Sequence, residues 1–170
     1  MTATFRHCPV CGGDLETRHL DDRDRLVCSQ CGFVFYQNPA PAAGVIVVDD
    51  DGRLLWVQRR FEPRKGLWTL PAGFVEFDEH VEECAVRETK EETGLDVELT
   101  GLFNAYMAMD DPRTRVVLLL YTARVTGGEL RAGDDASAVR WVDIDDQPGE
   151  LAFRAHQLAL ADIRRDRGAY

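Results

Sequence analysis

Short blocks of apolar residues alternate with polar turns through most of the chain. Residues 43–48 form an apolar run, residues 49–52 are three aspartates and a glycine, and residues 53–59 alternate polar and apolar positions. This pattern predicts a β-hairpin. Segments of strand-type composition predict four further strands, at residues 67–71, 97–109, 115–125 and 138–142.

Two longer segments have helical patterns. Residues 79–93 are strong helix formers without Gly or Pro, and Gly94 stands where a helix C-cap belongs. Residues 153–167 predict a second helix. Its sheet-facing residues are predicted to be Leu158, Ala161 and Ile163. Because helices and strands are interspersed, we expect an α+β fold around one sheet.

The length and composition fit one main domain with a small appendage. A chain of 170 residues, 45% of them hydrophobic, supports one sizeable core. Two prolines in residues 36–41 favour an extended linker, which divides the chain into residues 1–36 and 37–170. The longest apolar runs reach about five residues and the N-terminus lacks an apolar signal region, so we expect a cytoplasmic protein without a membrane span.

The charge is negative and unevenly distributed. A net charge of −10 opposes binding to a phosphate backbone, so we expect no nucleic-acid partner. Residues 73–98 hold ten acidic residues against Arg87 and Lys90. Such a run is either a solvated helix face or a site, and the spacing of its members decides between the two.

Four cysteines form two C-x2-C pairs near the N-terminus. Cys8 and Cys11 are followed, after 16 residues, by Cys28 and Cys31. This spacing suits four thiolates around one Zn²⁺ and leaves no open position for chemistry, so a structural zinc ribbon is predicted over residues 1–36. Two disulfides or a redox pair are the alternatives. Acidic and basic residues nearly balance here, which predicts a structural or dimer-forming module, with partner binding as the alternative.

Three glutamates in the first predicted helix are candidates for chemistry. Glu88, Glu91 and Glu92 stand at i, i+3 and i+4 and project from one helix face. Like charges so close together repel unless a divalent cation lies between them, and hard oxygen ligands suit Mg²⁺ or Mn²⁺. Val81 and Ala85 flank the same face, which places the acidic patch at the rim of the buried stripe.

The glutamates belong to a longer motif of fixed spacing. Gly73, Glu79, Arg87 and Gly94 stand at set distances around them, and the whole segment resembles the Nudix box, G-x5-E-x7-R-E-U-x-E-E-x-G-U. Only Thr89 departs, because a bulky aliphatic residue is usual at its position. The resemblance extends to the zinc-ribbon Nudix hydrolases, which include ADP-ribose and FAD pyrophosphatases, through the ribbon and residues 36–39, 67–73 and 151–153.

This resemblance implies a fold, a reaction and a set of site residues. The implied fold is the Nudix α/β/α sandwich with a mixed sheet, and the implied reaction hydrolyses a nucleoside diphosphate derivative to two monophosphates with Mg²⁺ or Mn²⁺. A homodimer is also implied. The implied metal ligands are Glu88, Glu91, Glu92 and the backbone carbonyl of Gly73. The resemblance further implies that Glu79 pairs with Arg87 to hold loop and helix in register. The general base is open, and its candidates are Asp135 and then Glu76.

Substrate contacts are less well defined by the sequence. Basic residues just upstream of the box either contact phosphate or line a solvated loop: Arg59, Arg60, Arg64 and Lys65. Aromatic residues either stack on an adenine or flavin ring or belong to the core: Trp68, Phe103 and Tyr106. We expect Cys84 and His156 to be structural.

ADP-ribose or FAD is the expected substrate. NADH pyrophosphatases of the same family typically carry a Ser-Gln-Pro-Trp-Pro-Phe-Pro-type stretch after the box, and residues 100–111 contain none. NADH pyrophosphatase activity is therefore an alternative. Another is a non-catalytic ligand sensor with a partner-binding ribbon, although this box is complete. A pure zinc-ribbon interaction module with an incidental acidic helix is the remaining alternative.

Overall fold

A computed structural model of the chain describes residues 5–111, 114–133 and 135–166. Within these residues the strands and helices are, in chain order, β1 (Leu15–Leu20), β2 (Arg23–Cys28), β3 (Val34–Phe35), β4 (Ala40–Val47), β5 (Arg53–Arg59), β6 (Trp68–Thr69), β7 (Ala72–Phe74), α1 (Val81–Thr93), β8 (Leu95–Ala108), β9 (Val116–Gly128), β10 (Ala136–Asp143) and α2 (Arg154–Arg165). Among the described residues, neither α1 nor α2 has the length and hydropathy of a membrane-spanning helix.

The strands form three sheets. The N-terminal sheet is antiparallel in the order β1-β2-β3. A second sheet has the order β7-β4-β9-β8, and it is mixed because β4 runs parallel to β9 and the other pairs are antiparallel. The third sheet is antiparallel in the order β10-β5-β6. The α+β fold with a mixed sheet is thus confirmed, and the later part of the chain has two sheets where one was expected.

The predicted hairpin of β4 and β5 is wrong, although both strands and the turn between them exist. β4 lies between β7 and β9, whereas β5 lies between β10 and β6, and a single bridge from Val48 to Leu54 joins the two strands. Both strands are apolar on both faces, because residues 42–47 and 54–57 are all buried. A strand buried on both faces takes a central place in a sheet, so each strand finds its own neighbours.

Alternate residues of β4 face two separate cores. Ala42 and Ile46 belong to a cluster that also contains residues of α2, whereas Val45 and Val47 belong to a cluster that also contains residues of α1. The period of two along the strand sends successive side chains to opposite faces. The sheets are therefore covered by a helix on each side, as the predicted α/β/α sandwich requires.

The ends of α1 follow local signals in the sequence. The backbone N–H of His80 donates to the Glu83 carboxylate at 2.9 Å, and the helix begins at Val81, two residues after the predicted start. Gly94 ends the helix with φ of 75°, and its N–H donates to the Lys90 carbonyl at 2.9 Å. The predicted C-cap is confirmed.

The predicted buried face of α2 is mostly wrong. Leu158 is 45% exposed and Ala161 is also exposed, while Ile163 is fully buried as expected. The buried residues are Ala155, His156, Ala159, Leu160 and Ile163. They are spaced at i, i+1, i+4, i+5 and i+8, which places them on one stripe of the helix. The helix ends at Arg165, and the predicted end at residue 167 lies outside the described residues.

We expect Gly94→Ala to destabilise the fold more than Gly52→Ala. Both glycines have a positive φ, of 75° and 79°, which costs an L residue about 1–2 kcal/mol. A β-carbon at Gly94 would in addition lie 2.5 Å from the Glu129 carbonyl oxygen, whereas one at Gly52 would meet nothing within 4 Å. Urea unfolding of both variants measures the difference. Equal losses would show that the close approach at Gly94 is relieved without cost.

Candidate active site

Arg87 joins the loop after β7 to helix α1. Its Nε and Nη2 donate to the two carboxylate oxygens of Glu79 at 2.9 and 2.6 Å, and Nη2 also donates to the Phe74 carbonyl at 3.2 Å. Glu79 in turn accepts the backbone N–H of Glu76 at 2.8 Å. The Arg87 guanidinium lowers the pKa of Glu79 to about 2, so this carboxylate is ionised at neutral pH. The loop is therefore held in one place relative to α1.

Gly73 allows the Glu88 carboxylate to lie directly against the backbone of β7. A β-carbon on Gly73 would overlap that carboxylate, so no other residue fits without displacing Glu88. Glu88 is half-buried, and this burial raises its pKa, while Arg87 Nη1, at 2.7 Å from the carboxylate, opposes the rise. The carbonyl predicted as a metal ligand and the Glu88 carboxylate thus belong to one compact arrangement.

Glu92 is buried in the wall beside Glu88. It is 8% exposed, and its carboxylate accepts the backbone N–H of Ala72 at 3.1 Å. Burial raises the pKa of Glu92 to about 8, the negative charge of Glu88 adds to the rise, and Arg59 opposes it. A buried carboxyl with a raised pKa is typical of a functional site, and a divalent cation would favour its ionised form.

Glu91 has a different environment from the other two glutamates. Its side chain is 58% exposed and pairs with Arg87 Nη1 at 3.0 Å. The three glutamates lie on one face of α1 as predicted, with Glu88 and Glu92 toward the cavity described below and Glu91 toward solvent. The role of Glu91 as a metal ligand stays a prediction.

Two other residues of α1, Thr89 and Cys84, lie on the buried side of the helix. Thr89 is fully buried and its hydroxyl donates to the Ala85 carbonyl at 2.7 Å, so the unusual residue in the motif pairs its only polar group within the helix. Cys84 is also fully buried, and its thiol donates to the Phe74 carbonyl at 3.4 Å. Burial raises the pKa of Cys84 to about 11, which keeps it a thiol and agrees with the expected structural role.

A cavity of about 710 Å³ opens beside Gly73, Glu88 and Glu92. Carboxylates dominate its polar wall, and the further acidic residues there are Glu62, Glu76, Asp110, Asp111 and Asp135. The other polar and aromatic side chains of the wall are Arg59, Phe61, Thr69, Phe74, Thr114, Phe153 and His156. Several hard oxygen donors around one space fit Mg²⁺ or Mn²⁺, so the donor set agrees with the predicted metal chemistry.

The basic residues predicted to contact phosphate differ in their position relative to the cavity. Arg59 lines the cavity, donates from Nε to the Pro63 carbonyl at 2.8 Å and lies 5.4 Å from the centre of the Phe153 ring. Burial lowers its pKa. Arg64 is exposed and outside the cavity wall, and so are Arg60 and Lys65. Of these four residues, only Arg59 is placed to contact a ligand in the cavity.

The three aromatic candidates lie outside the cavity wall. Trp68 is 4% exposed in the core, with Arg140 5.1 Å from its ring centre. Tyr106 is buried and donates from its hydroxyl to Asp162 at 2.8 Å, and Phe103 packs against the same core cluster. The placement of these residues favours the core role that the sequence left open.

The aromatic residues that do line the cavity are Phe61, Phe74 and Phe153. Phe74 follows the first glycine of the motif, and Phe153 lies in a segment that carries the family resemblance. Position within the segments that resemble the family was therefore the sequence signal that could have identified both residues. Periodicity gave none, because the cavity wall combines residues from β5, β7, β8 and α2. The base candidates Asp135 and Glu76 both lie in the wall and are exposed, and their role stays a prediction.

The four cysteine thiols meet at one point of the N-terminal sheet. The sulfur atoms of Cys8, Cys11, Cys28 and Cys31 all lie within 4.8 Å of one another. The Cys8–Cys31 and Cys11–Cys28 pairs are 3.6 and 3.5 Å apart. A disulfide needs about 2.05 Å, so neither pair is bonded, whereas ligands about 2.3 Å from a tetrahedral Zn²⁺ are roughly 3.8 Å apart. The spacing fits a metal and not two disulfides.

Two family models match the chain. A model described as "NUDIX domain" matches residues 38–161, and one described as "Nudix N-terminal", of the zinc-ribbon type, matches residues 6–37. Together they cover most of the described residues, including the cysteine cluster and the cavity wall.

The chain is similar in sequence to hydrolases named for two different substrates, and similar in structure to a NUDIX hydrolase. An ADP-ribose pyrophosphatase of Methanocaldococcus jannaschii is 42% identical over 134 residues, which is 78% of each chain. An NAD-capped RNA hydrolase NudC of Vibrio atlanticus is 29% identical over 97% of this chain, which spans only 61% of that relative. A solved structure of a NUDIX hydrolase from Nitrosomonas europaea has a TM-score of 0.81 and 30% identity, covering 97% of this chain and 94% of its own.

We expect Cys28→Ser to remove a tightly bound metal ion. The substitution replaces one of four thiolates that lie within 4.8 Å of one another. Elemental analysis of purified protein should show about one ion per chain in the wild type and a strong loss in the variant, with a lower melting temperature. Cys84→Ala is the matched control, since Cys84 is buried outside the cluster. Retention of the metal in Cys28→Ser would contradict the assignment.

We also expect His156 to make the fold less stable in acid. Burial lowers the pKa of His156 to about 4, Arg59 adds to the fall, and Asp110 opposes it. Between about pH 6.5 and pH 4 the unfolded chain binds a proton that the folded chain does not, so stability falls as pH falls, by up to about 1.4 kcal/mol per pH unit.

His156→Asn tests this pH dependence. Asn can still accept the Leu70 N–H that donates to His156 Nδ1 at 3.2 Å, but it does not titrate. The difference in melting temperature between wild type and variant should therefore change across that pH window. Metal loss from the cysteines affects both proteins alike. A constant difference would show that His156 does not titrate as expected.

Proposed function

The chain belongs to the Nudix hydrolase family, and from this premise we propose that it hydrolyses the diphosphate bond of ADP-ribose to AMP and ribose 5-phosphate. The observation that carries the proposal is the pair of carboxylates, Glu88 and Glu92, in the wall of a cavity that also contains Arg59. Water adds across the diphosphate, so one phosphorus gains an oxygen and the other keeps the bridging oxygen. Each product is a monophosphate.

Two observations favour ADP-ribose over a dinucleotide. The relative named ADP-ribose pyrophosphatase matches 78% of each chain, whereas the chain spans about three fifths of the relatives named NAD-capped RNA hydrolase. Residues 100–111 also lack the proline-rich stretch that the NADH-cleaving enzymes typically carry. FAD, which contains the same ADP group, stays a second expectation from the resemblance.

An NAD-capped RNA end or NADH is the alternative substrate. The names of the longer relatives reopen nucleic acid as a partner, which the net charge of −10 had argued against. That argument concerns binding to a long phosphate backbone, and an enzyme that reads only a cap needs few phosphate contacts.

The residues of the chain have distinct proposed roles. Glu88, Glu92 and the Gly73 carbonyl, with Glu91, would hold Mg²⁺ or Mn²⁺, which would neutralise diphosphate charge and lower the pKa of a water molecule. Arg87 and Glu79 keep the loop against α1. The Ala72 N–H orients Glu92, and Arg59 binds a phosphate oxygen. Asp135, or Glu76 behind it, accepts the proton of the attacking water.

The N-terminal residues have a separate proposed role. We assign Zn²⁺ to the four thiolates, as a structural ion in a ribbon of residues 1–36 ahead of a hydrolase domain of residues 37–170. Metal–thiolate ligation requires reduced cysteines, which supports a cytoplasmic location. A homodimer is part of the proposal, on the resemblance to ribbon-containing Nudix enzymes alone.

A substrate panel tests the function. ADP-ribose, FAD, NADH and nucleoside triphosphates are incubated with the zinc-loaded protein and Mg²⁺ or Mn²⁺, and released monophosphate is measured. We expect ADP-ribose to have the highest kcat/KM. NADH as the best substrate would favour the alternative, and no turnover with any compound would favour a ligand sensor.

Glu92→Gln tests the site. We expect kcat to fall on the order of a hundredfold or more, because the amide loses the charge but still accepts the Ala72 N–H that donates to Glu92 at 3.1 Å. Glu98→Gln is the matched control, since Glu98 is exposed and pairs with Arg124 on the sheet. Circular dichroism checks the fold of both variants. Turnover near that of wild type in Glu92→Gln would remove this residue from the ligand set.

A further inference from the structure

His156 is a buried side chain in the wall of the active-site cavity. It lies in the first turn of α2, is 5% exposed, and borders the cavity together with Phe153, whose ring centre is 6.1 Å from its own. The proposed roles of the preceding section do not use it. The sequence predicted a structural residue, and one of its two ring nitrogens fits that prediction.

The hydrogen bond of Nδ1 determines what the other nitrogen can do. The backbone N–H of Leu70 donates to His156 Nδ1 at 3.2 Å, so Nδ1 carries no proton. Burial and the nearby Arg59 lower the pKa of His156 to about 4, which keeps the ring neutral. The single ring proton is therefore on Nε2. In the described parts of the chain, the His156 side chain makes its hydrogen bond at Nδ1 and none at Nε2. Because His156 lines the cavity, we expect a ligand there to accept from Nε2.

The backbone segment that holds His156 also holds Glu92. Leu70 N–H donates to His156 and Ala72 N–H donates to Glu92. Pro71 lies in a bend between them, and N–H groups two residues apart in the chain are separated by at most about 7 Å. The two backbone groups that hold His156 and Glu92 are therefore no more than about 7 Å apart.

We propose that His156 binds the substrate by donating a hydrogen bond from Nε2 to an oxygen of the pentose attached to the diphosphate. The inference rests on the proposed function, because it places the diphosphate beside Glu88 and Glu92. The sugar is the group that follows the phosphate in any nucleoside diphosphate derivative, so it is the group expected beside a wall residue that the backbone holds close to the anchor of Glu92. His156 is then a substrate-binding residue.

The chemistry of this part of the wall fits a sugar better than a phosphate. A neutral N–H suits a neutral oxygen, whereas the positively charged Arg59 in the same wall suits a phosphate. Asp110 lies close enough to affect the pKa of His156, and a carboxylate accepts the proton of a hydroxyl. A hydroxyl both donates and accepts, so it can use both residues.

Two substitutions separate ligand binding from a structural role. His156→Asn keeps an acceptor near the Nδ1 position for Leu70 but has no donor at the Nε2 position. His156→Gln places an amide donor near Nε2 and loses the Nδ1 acceptor. We expect His156→Asn to raise the KM for ADP-ribose roughly tenfold with little change in kcat, and His156→Gln to recover most of the affinity.

The melting temperatures should follow the opposite order, because only His156→Asn preserves the Leu70 hydrogen bond. A KM that rises more in His156→Gln than in His156→Asn would show that the residue is only structural, and an unchanged KM in His156→Asn would also overturn the proposal.

A binding experiment identifies the group that His156 contacts and does not depend on turnover. Calorimetry with Mg²⁺ measures the Kd of ribose 5-phosphate, AMP and inorganic phosphate for wild type and His156→Asn. We expect both pentose phosphates to bind roughly tenfold more weakly to the variant and inorganic phosphate to bind equally.

The remaining outcomes contradict the proposal. A loss confined to AMP would indicate a contact to the base, and a loss that includes inorganic phosphate would indicate a contact to the phosphate. No measurable binding of either pentose phosphate to wild type would also overturn it. Failure of the proposed function is separate, because it appears as absent hydrolysis of ADP-ribose by wild type.

Discussion

The contacts of Arg87 hold the active site together. One guanidinium donates to Glu79 and to the Phe74 carbonyl in the loop, and also to Glu88 and Glu91 on its own helix. Three carboxylates so close together would repel one another without it. Because Arg87 fixes the loop against α1, the backbone of β7 stays next to the side chains of that helix. The acidic wall of the cavity follows from this arrangement.

The backbone between β6 and β7 is the second constraint. It connects β6 of one sheet to β7 of the other. Its N–H groups donate to Glu92 on α1 and to His156 on α2. One residue further along the chain, Gly73 is in close contact with the Glu88 carboxylate. Two helices that are far apart in the sequence are thereby hydrogen-bonded to the same short segment. A shift of this segment would move Glu92 and His156 together.

The sequence alone determined the features that depend on spacing within one element. The i, i+3, i+4 spacing put three glutamates on one face of α1, Gly94 ended that helix, and the two C-x2-C pairs predicted a four-sulfur cluster. It also gave the family, because the motif has fixed positions. These features could be predicted since helical geometry and tight turns relate neighbours in the chain directly to neighbours in space.

The tertiary structure decided which elements meet. It sent β4 and β5 to different sheets, and it exposed Leu158 while burying His156. It also left Glu91 exposed while it buried Glu92, and it put Phe153, and not Trp68, in the cavity wall. Local periodicity cannot distinguish these outcomes, because an apolar residue can be buried equally well in more than one core. The choice depends on contacts between segments that are distant in the sequence.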